Sequence, residues 1–167
     1  MNSKSLRAIQ GPLKERYKNQ PATAMITLNA KGTLGDGITC KIQTGKALIE
    51  AGLHEATGGS GVQVCSGDML LEALVACFGV TLNAVATALE INVRGGAVRV
   101  EGDLDFRGTL GVSKDVAVGF QRIRLFVHLD SDATDEQKAT LLRLTERYCV
   151  VLQTIAKPPE LHATYEN

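Results

Sequence analysis

Cysteine is the residue type in this sequence that offers the most chemistry. The chain contains four cysteines, Cys40, Cys65, Cys77 and Cys149. No two of them form a Cys-x-x-Cys pair and the three histidines stand singly, so the spacing that zinc sites use is missing. We therefore predict no metal site and no cofactor. The open question is whether any of these thiols reacts or whether all of them are packing residues.

Cys77 and Cys149 are the two candidates for thiol chemistry. Both fall within or at the end of a predicted helix, and both have apolar neighbours in the sequence. A free cysteine in such surroundings usually behaves as a small core hydrophobe. A reactive thiol needs its thiolate to be stabilised by a cation or by the N-terminus of a helix. For Cys40 and Cys65 we favour packing, whereas for the other two both interpretations stay open.

The stretch 66–92 is predicted to be a long helix with Cys77 near its middle. It contains no proline and is rich in Leu and Ala, which favour helix. Ser66 is expected to cap it, with Asp68 in the first turn, where exposed N–H groups attract acceptors. Apolar residues occupy nearly every side, which is typical of a buried helix. At about 1.5 Å per residue it would be on the order of 40 Å long, so we predict that it is shared with a partner chain.

Charge and composition argue against several kinds of partner. The 167 residues carry a net charge of zero, so no electrostatic argument favours nucleic acid or an anionic membrane. The polar first residues lack the apolar run of a secretory signal. The long helix is interrupted by Glu72, Asn83 and Glu90, so we interpret it as core rather than as a membrane span. We expect a cytoplasmic protein whose thiols are reduced.

The first third of the sequence predicts an arm followed by an antiparallel meander. Residues 1–22 have apolar positions three to four apart, which predicts a helical arm that is interrupted at Gly11-Pro12 and ends before Pro21. The period then changes to two, which predicts three strands with a glycine-rich turn at 32–37. The strands are expected at 23–30, 38–43 and 46–53, followed by a loop at 57–61.

Two more strands and a second helix are predicted after the long helix. Arg94-Gly-Gly is interpreted as a break in the pattern. Thr134 and Gln137 form a capping box for a helix that runs to Cys149 or on to Ile155, where a Pro-Pro pair stops it. Strand runs separated from helices indicate an α+β domain, with helices on one face of an antiparallel sheet. The strands are expected at 97–106 and 120–129, with a turn region at 108–115 and an edge strand at 161–166.

Three stretches of the sequence resemble one known family. They are SGDMLLEALVACFGVTLNAVATAL in the long helix, LTERYCVVLQTI around Cys149, and HATYE near the C-terminus. With the strand order around them, they resemble the OsmC-like family, which includes the organic hydroperoxide resistance proteins, over roughly residues 23–166. The resemblance implies an OsmC-like domain at 23–167 after the 1–22 arm. It also implies an intertwined homodimer in which the long helices pack at the centre and sheets wrap around them.

The best-known activity of that family is thiol-dependent peroxide reduction. By this resemblance Cys77 would be the peroxidatic thiolate and Cys149 the resolving thiol. The thiolate attacks the O–O bond, becomes a sulfenic acid, and condenses with the second thiol to a disulfide that cellular thiols reduce. The implied partners are an organic hydroperoxide or another small electrophile, and a thiol reductant. Apolar surroundings would favour organic hydroperoxides over hydrogen peroxide.

Three positions depart from the pattern of the peroxidase members. Leu34 stands where they carry an arginine, Gly67 where they carry a glutamate, and Val150 where they have a proline after the second cysteine. Without the arginine and glutamate, a thiol among apolar residues is expected to have a raised pKa. The candidate replacements are Lys31 or Lys41 for the cation, Glu72 or Asp68 for the acid, and His162 as a base.

These departures leave two classes of function open. The chain is either a thiol peroxidase or a non-catalytic module that keeps the fold and binds a small apolar or electrophilic ligand in the cleft between subunits. A third interpretation treats both cysteines as packing residues. The sequence does not decide whether the protein is an enzyme.

Overall fold

A computed structural model describes residues 2–20, 31–34, 39–44, 47–111 and 113–166. The helices in this part of the chain are α1 (Ser3–Asn19), α2 (Ser66–Ala88), α3 (Phe106–Thr109), α4 (Asp135–Tyr148) and α5 (Val150–Ala156). The strands are β1 (Lys31–Leu34), β2 (Thr39–Thr44), β3 (Ala47–Gly52), β4 (Val64–Cys65), β5 (Val93–Asp103) and β6 (Arg122–Ser131). Helices and strands thus occur in separate runs, which confirms the α+β class.

Strands β1 to β4 form one sheet in that order. The predicted antiparallel pairing of the second and third strands is confirmed, because β2 pairs antiparallel with β3; β2 also pairs antiparallel with β1. The predicted turn at 32–37 starts too early, since Gly32 and Leu34 belong to β1 and pair with β2. The predicted strand at 23–30 lies outside the described residues. The sequence also missed β4, a two-residue strand that runs parallel to β3 and is too short to show a period.

Helix α1 is continuous from Ser3 to Asn19. The predicted interruption at Gly11-Pro12 is therefore wrong, whereas the predicted end before Pro21 is confirmed. Pro12 lacks only the N–H that would bond the Ala8 carbonyl. The turns on either side keep their own backbone bonds, so the helix continues through the proline.

Helix α2 has Ser66, the predicted cap, as its first residue, and it ends at Ala88, four residues before its predicted end. Glu90 adopts a left-handed conformation with φ 59°. The Glu90 N–H donates to the Thr87 carbonyl (3.2 Å). The following N–H, that of Ile91, donates to the Ala86 carbonyl (2.9 Å). This is a common way for a helix to end, but glycine usually occupies the left-handed position, so a glutamate there gives no sequence signal.

Strands β5 and β6 form a separate two-stranded sheet. The strands in the described part of the chain therefore form two sheets, where the sequence predicted one. The predicted break at Arg94-Gly-Gly is wrong, because β5 runs through it. A glycine is needed at Gly96 for another reason: a Cβ there would lie 2.4 Å from the His128 carbonyl oxygen. Close approach of the β6 backbone, rather than a turn, accounts for this glycine.

Helix α4 begins with the capping box that the sequence predicted. The Gln137 N–H donates to the Thr134 hydroxyl (3.2 Å), and the Thr134 N–H donates to the Gln137 side chain (2.9 Å). The helix does not continue through Cys149, whose φ of −72° and ψ of 108° are extended. A second helix, α5, begins at the next residue. Cys149 is therefore the joint between two helices.

The C-terminal segment 157–166 contains no helix or strand. The predicted edge strand at 161–166 is therefore wrong for the single chain, since no neighbouring strand in the described residues pairs with it. Its two large apolar side chains are open to solvent, Leu161 at 84% and Tyr165 at 98% exposure.

The chain divides into two compact units. The first comprises residues 1–7, 73–98 and 127–167, and the second comprises residues 8–72 and 99–126. In the second unit, His54 stacks on Phe106 with ring centroids 4.9 Å apart, and Arg99 lies over the Phe126 ring. In the first unit the buried side chains come from α2, α4 and the joint: Leu74, Phe78, Leu82, Ala86, Leu141, Thr145 and Cys149.

Only one stripe of α2 is buried in the single chain. Its members are four residues apart, at Leu74, Phe78, Leu82 and Ala86, which is the spacing of one helix face. The expectation of a helix buried on all sides is wrong for one chain, because Val80 is 72% exposed. Among the described residues, α2 is the helix long and apolar enough to cross a membrane, a test that core helices of globular proteins also pass.

Candidate active site

The structure brings the thiols of Cys77 and Cys149 together. Cys77 lies in the middle of α2, and Cys149 is the joint between α4 and α5. Both belong to the first unit and both are free thiols. Their side chains are hydrogen-bond partners of one another. Cys149 is fully buried whereas Cys77 is partly exposed, so Cys77 is the thiol that a solute can reach.

The joint at Cys149 aims backbone amides at the two sulfurs. The first N–H groups of a helix have no partner within the helix, and α5 begins at Val150. The N–H groups of Val150 and Val151 donate to the Cys77 sulfur. The N–H groups of Val151 and Leu152 donate to the Cys149 sulfur. The two thiols therefore share the start of α5 as a source of donors.

These donors lower the pKa of Cys77. Burial of the thiol acts to raise the pKa, as expected for a group surrounded by apolar residues. Hydrogen bonds from the Val151 N–H, the Cys149 thiol, the Val150 N–H and the Thr81 hydroxyl act in the other direction, and together they outweigh burial. The expectation of a raised pKa is therefore wrong, because the sequence did not indicate that α5 begins beside Cys77.

The pKa of Cys149 is raised. Burial is the main cause, and the neighbouring Cys77 sulfur adds to it because two negative charges so close together repel. The amide of Leu152 opposes these effects without reversing them. The pair thus favours a thiolate at Cys77 and a protonated thiol at Cys149, which donates to the thiolate.

Glu72 and Asp68 are not assigned to this site by the structure. Both lie on α2 within the second unit, and both are exposed. Neither has an ion pair or side-chain hydrogen bond among the described residues. Glu72 thus faces solvent in the single chain rather than pairing with a cation. Lys31 and Lys41 lie on β1 and β2, but their side chains, like that of Leu34, fall outside the described part of the structure.

His162 lies on the exposed C-terminal segment, where its Nε2 is 3.2 Å from the Glu160 carboxylate. Its role as a base for the cysteine pair stays a prediction. No cluster of His, Cys, Asp and Glu that could hold a metal ion occurs in residues 2–20, 31–34, 39–44, 47–111 and 113–166.

Sequence reasoning missed the backbone donors and Thr81. The amides of Val150 and Val151 carry no side-chain signature, so only the position of the helix start reveals them. Thr81 follows Cys77 by four residues on the same helix, and this spacing places two side chains on one face. The spacing was therefore a usable signal for the threonine.

Apolar side chains that are open to solvent lie next to both cysteines in the chain. Val80 is three residues after Cys77 on α2, and Tyr148 and Val150 flank Cys149. All three are exposed. A cavity of about 860 Å³ lies elsewhere in the first unit, between Asn2–Leu6 and the end of α2, and neither thiol lines it. The chemistry therefore centres on the thiol pair and its surface rather than on that cavity.

Comparison with known proteins finds a family model and solved structures that resemble this chain. A family model described as OsmC-like protein matches residues 58–163. An OsmC-like protein from Mycoplasma pneumoniae has a similar structure, with 16% identity and a TM-score of 0.67 over 80% of this chain and 89% of that one. No curated protein sequence matches the chain.

Two organic hydroperoxide resistance proteins are also similar in structure. The protein from Legionella pneumophila has 17% identity and a TM-score of 0.58, over 80% of this chain and 91% of that one. The protein from Elizabethkingia anophelis has 18% identity and a TM-score of 0.60 over the same shares of the two chains. At these identities the likeness establishes the fold.

Proposed function

Because the chain belongs to the OsmC-like protein family, we propose that it is a thiol-dependent reductase of organic hydroperoxides that uses Cys77 and Cys149. Membership of this family supports a redox function in stress defence. The observation that carries the finer proposal is the contact between the two thiols, with the pKa lowered at the accessible one and raised at the buried one. A pair of packing cysteines would have no need of that asymmetry.

The first step is attack by the Cys77 thiolate on the O–O bond. An S–O bond forms to the terminal oxygen, the O–O bond breaks, and the alkoxide leaves with a proton from water as an alcohol. Cys77 is oxidised to a sulfenic acid and the hydroperoxide is reduced. The low pKa of Cys77 contributes by keeping the thiolate populated, because the thiolate is the nucleophile.

The second step uses the neighbouring Cys149. Its sulfur attacks the sulfur of the sulfenic acid, an S–S bond forms, and the hydroxyl leaves as water with the proton of the Cys149 thiol. Two equivalents of a small cellular thiol then reduce the disulfide and restore both thiols. The contact between the two side chains supports this role, since condensation needs the sulfurs to be adjacent.

The surroundings of the pair favour an organic substrate. Val80, Tyr148 and Val150 lie close in sequence to the two cysteines and are open to solvent. Apolar groups of this kind gain by contact with a hydrocarbon or aryl group, whereas hydrogen peroxide offers no such group. We expect alkyl or aryl hydroperoxides to react faster than hydrogen peroxide for this reason.

We also propose that the protein acts as a cytoplasmic homodimer. The exposed apolar faces of α2 support the dimer, because large apolar areas on a protein surface usually mark an interface. In a reducing compartment, cellular thiols keep protein cysteines reduced. We therefore expect Cys77 and Cys149 to be free thiols except during turnover. Neither nucleic acid nor membrane is part of the proposal.

The test is peroxide-dependent loss of thiols in the purified, reduced protein. We expect cumene hydroperoxide to remove two thiols per chain rapidly at neutral pH, with an internal Cys77–Cys149 disulfide found by peptide mass spectrometry. Cys77→Ser should abolish the loss, whereas Cys65→Ser, which changes another free thiol, should leave the rate unchanged. A rate equal to that of free cysteine would contradict the proposal and would leave the protein as a binding module of the same fold.

A further inference from the structure

We propose that the hydroxyl of Thr81 is a second side-chain donor, besides the Cys149 thiol, that holds the Cys77 thiolate ready for attack. The inference rests on the proposed function, because it assigns a further residue to the same reaction. Thr81 lies one helical turn after Cys77, its hydroxyl lies against the backbone of Cys77, and the family pattern described above does not include it. A hydroxyl that donates to the thiolate would stabilise its negative charge, as the arginine does in the peroxidase members.

The position of Thr81 on α2 brings its hydroxyl to Cys77. Side chains four residues apart lie on the same face, and each leans toward the N-terminus of its helix. Thr81 therefore leans back over the turn that carries Cys77. The Thr81 hydroxyl lies 2.8 Å from the Cys77 carbonyl oxygen and donates to it. The hydroxyl is thus close enough to Cys77 to help lower the pKa of its thiol.

The hydroxyl is free to change its acceptor. The Cys77 carbonyl already accepts the backbone N–H four residues later, as carbonyls in an α-helix do. The bond from the Thr81 hydroxyl is thus a second bond to that carbonyl. A threonine hydroxyl has one proton and rotates to suit its surroundings. When Cys77 loses its proton, the hydroxyl gains more by donating to the negative sulfur, and no carbonyl is left without a partner.

Two other threonines make the same helix bond without a cysteine four residues before them. Thr87 donates to the Asn83 carbonyl over 2.8 Å on the same helix. Thr145 donates to the Leu141 carbonyl over 2.7 Å on α4. The residues at those positions, Asn83 and Leu141, carry no sulfur. Thr87 therefore offers a matched control for loss of the helix bond alone.

The experiment compares Thr81→Val, Thr81→Ser and Thr87→Val in the full chain. Valine keeps the shape of threonine and removes the hydroxyl, serine keeps the hydroxyl, and Thr87→Val removes an equivalent helix bond away from the thiols. Alkylation of Cys77 by iodoacetamide is followed across pH by peptide mass spectrometry. We expect the midpoint to rise by about half a pH unit in Thr81→Val, which lowers the rate below the midpoint about threefold. Thr81→Ser should restore the midpoint and Thr87→Val should not move it.

Two results would overturn the assignment: an unchanged midpoint in folded Thr81→Val, or an equal shift in Thr81→Ser. Circular dichroism shows whether each variant is folded, and the serine variant keeps the test valid should valine disturb the helix. Reduction of cumene hydroperoxide is measured on the same proteins. Failure of the wild type to consume the hydroperoxide refutes the proposed function, whereas the alkylation midpoints alone decide the role of Thr81.

Discussion

At the scale of single residues, the step from Cys149 to Val150 determines the chemistry of a sulfur on another helix. A proline at position 150 would offer no N–H, whereas valine offers one that donates to Cys77. The sequence alone shows that valine replaces the proline of the peroxidase pattern, which suggests that the site has lost one of its features. Only the direction in which the amide points reveals that the change adds a donor to the thiolate.

Val150→Pro tests that donor. Proline is well tolerated at the first position of a helix, and Cys149 already has the extended conformation that a residue before proline prefers. The substitution should therefore remove one N–H with little other change. We expect the midpoint of Cys77 alkylation to rise by about half to one pH unit. The measurement is the pH profile of iodoacetamide modification.

Val150→Ala is the matched control for the proline variant. The Val150 side chain is exposed, so its truncation should leave both the amide and the midpoint unchanged. The upward direction of the shift in Val150→Pro follows from the lowered pKa of Cys77 in the wild type. The wild-type thiolate persists below the ordinary thiol midpoint of about 8.5 and is lost as the pH falls through the lowered value. A midpoint in Val150→Pro equal to that of wild type would mean that this amide does not act on the sulfur.

Cys149 has two roles that serine and alanine separate. Cys149→Ser keeps a donor beside Cys77 but cannot form a disulfide, so a sulfenic acid should accumulate at Cys77 after one equivalent of hydroperoxide. Cys149→Ala also removes the donor, so its sulfenic acid should form more slowly at neutral pH. Dimedone labelling followed by mass spectrometry measures both. Equal rates in the two variants would show that the thiol of Cys149 does not assist Cys77.

At the scale of elements, local signals identified helix beginnings better than helix ends. The capping box of Thr134 and Gln137 uses side chains three residues apart, so the sequence alone predicts it and the structure confirms it. The end of α2 at a left-handed Glu90 and the joint at Cys149 have no such signature. Each depends on the backbone conformation of one residue, which packing against the rest of the chain sets.

Thr134→Ala should destabilise the protein through the start of α4. The alanine leaves the Gln137 N–H without its acceptor, and loss of such a cap costs about 1 kcal/mol of unfolding free energy. Urea unfolding followed by circular dichroism gives that value. Thr134→Ser keeps the hydroxyl and should lie within about 0.5 kcal/mol of wild type. A serine variant as unstable as the alanine variant would exclude the cap as the cause.

At the scale of the whole molecule, the sequence predicted the class of fold but not its strand partners. The order of strand runs and helices was enough for the α+β class, whereas the partner chain inferred from the apolar length of α2 stays a prediction. Within the described residues, the division into two sheets, the parallel β4 and the absence of a strand at 161–166 were not predictable. Pairing depends on contacts between residues far apart in the chain, which a period of two does not encode.

Val80→Glu should weaken the proposed homodimer. Val80 is an exposed apolar residue on α2, and burial of an unpaired carboxylate in an interface costs several kcal/mol. We expect a dimer for the wild type in sedimentation velocity and a dissociation constant raised at least about 100-fold in the variant. Val118→Glu places the same charge on an exposed valine outside α2 and should stay dimeric. A monomeric wild type would refute the dimer itself.

The joint at Cys149 has a consequence for the energetics of turnover. The amides of Val150 and Val151 stabilise a negative sulfur, and a sulfur within a disulfide carries no such charge. In the proposed cycle they therefore favour the dithiol over the oxidised form and raise the reduction potential of the couple, by about 30 mV for each tenfold preference. The disulfide becomes a stronger oxidant for that reason, and an ordinary small thiol is sufficient to regenerate the protein.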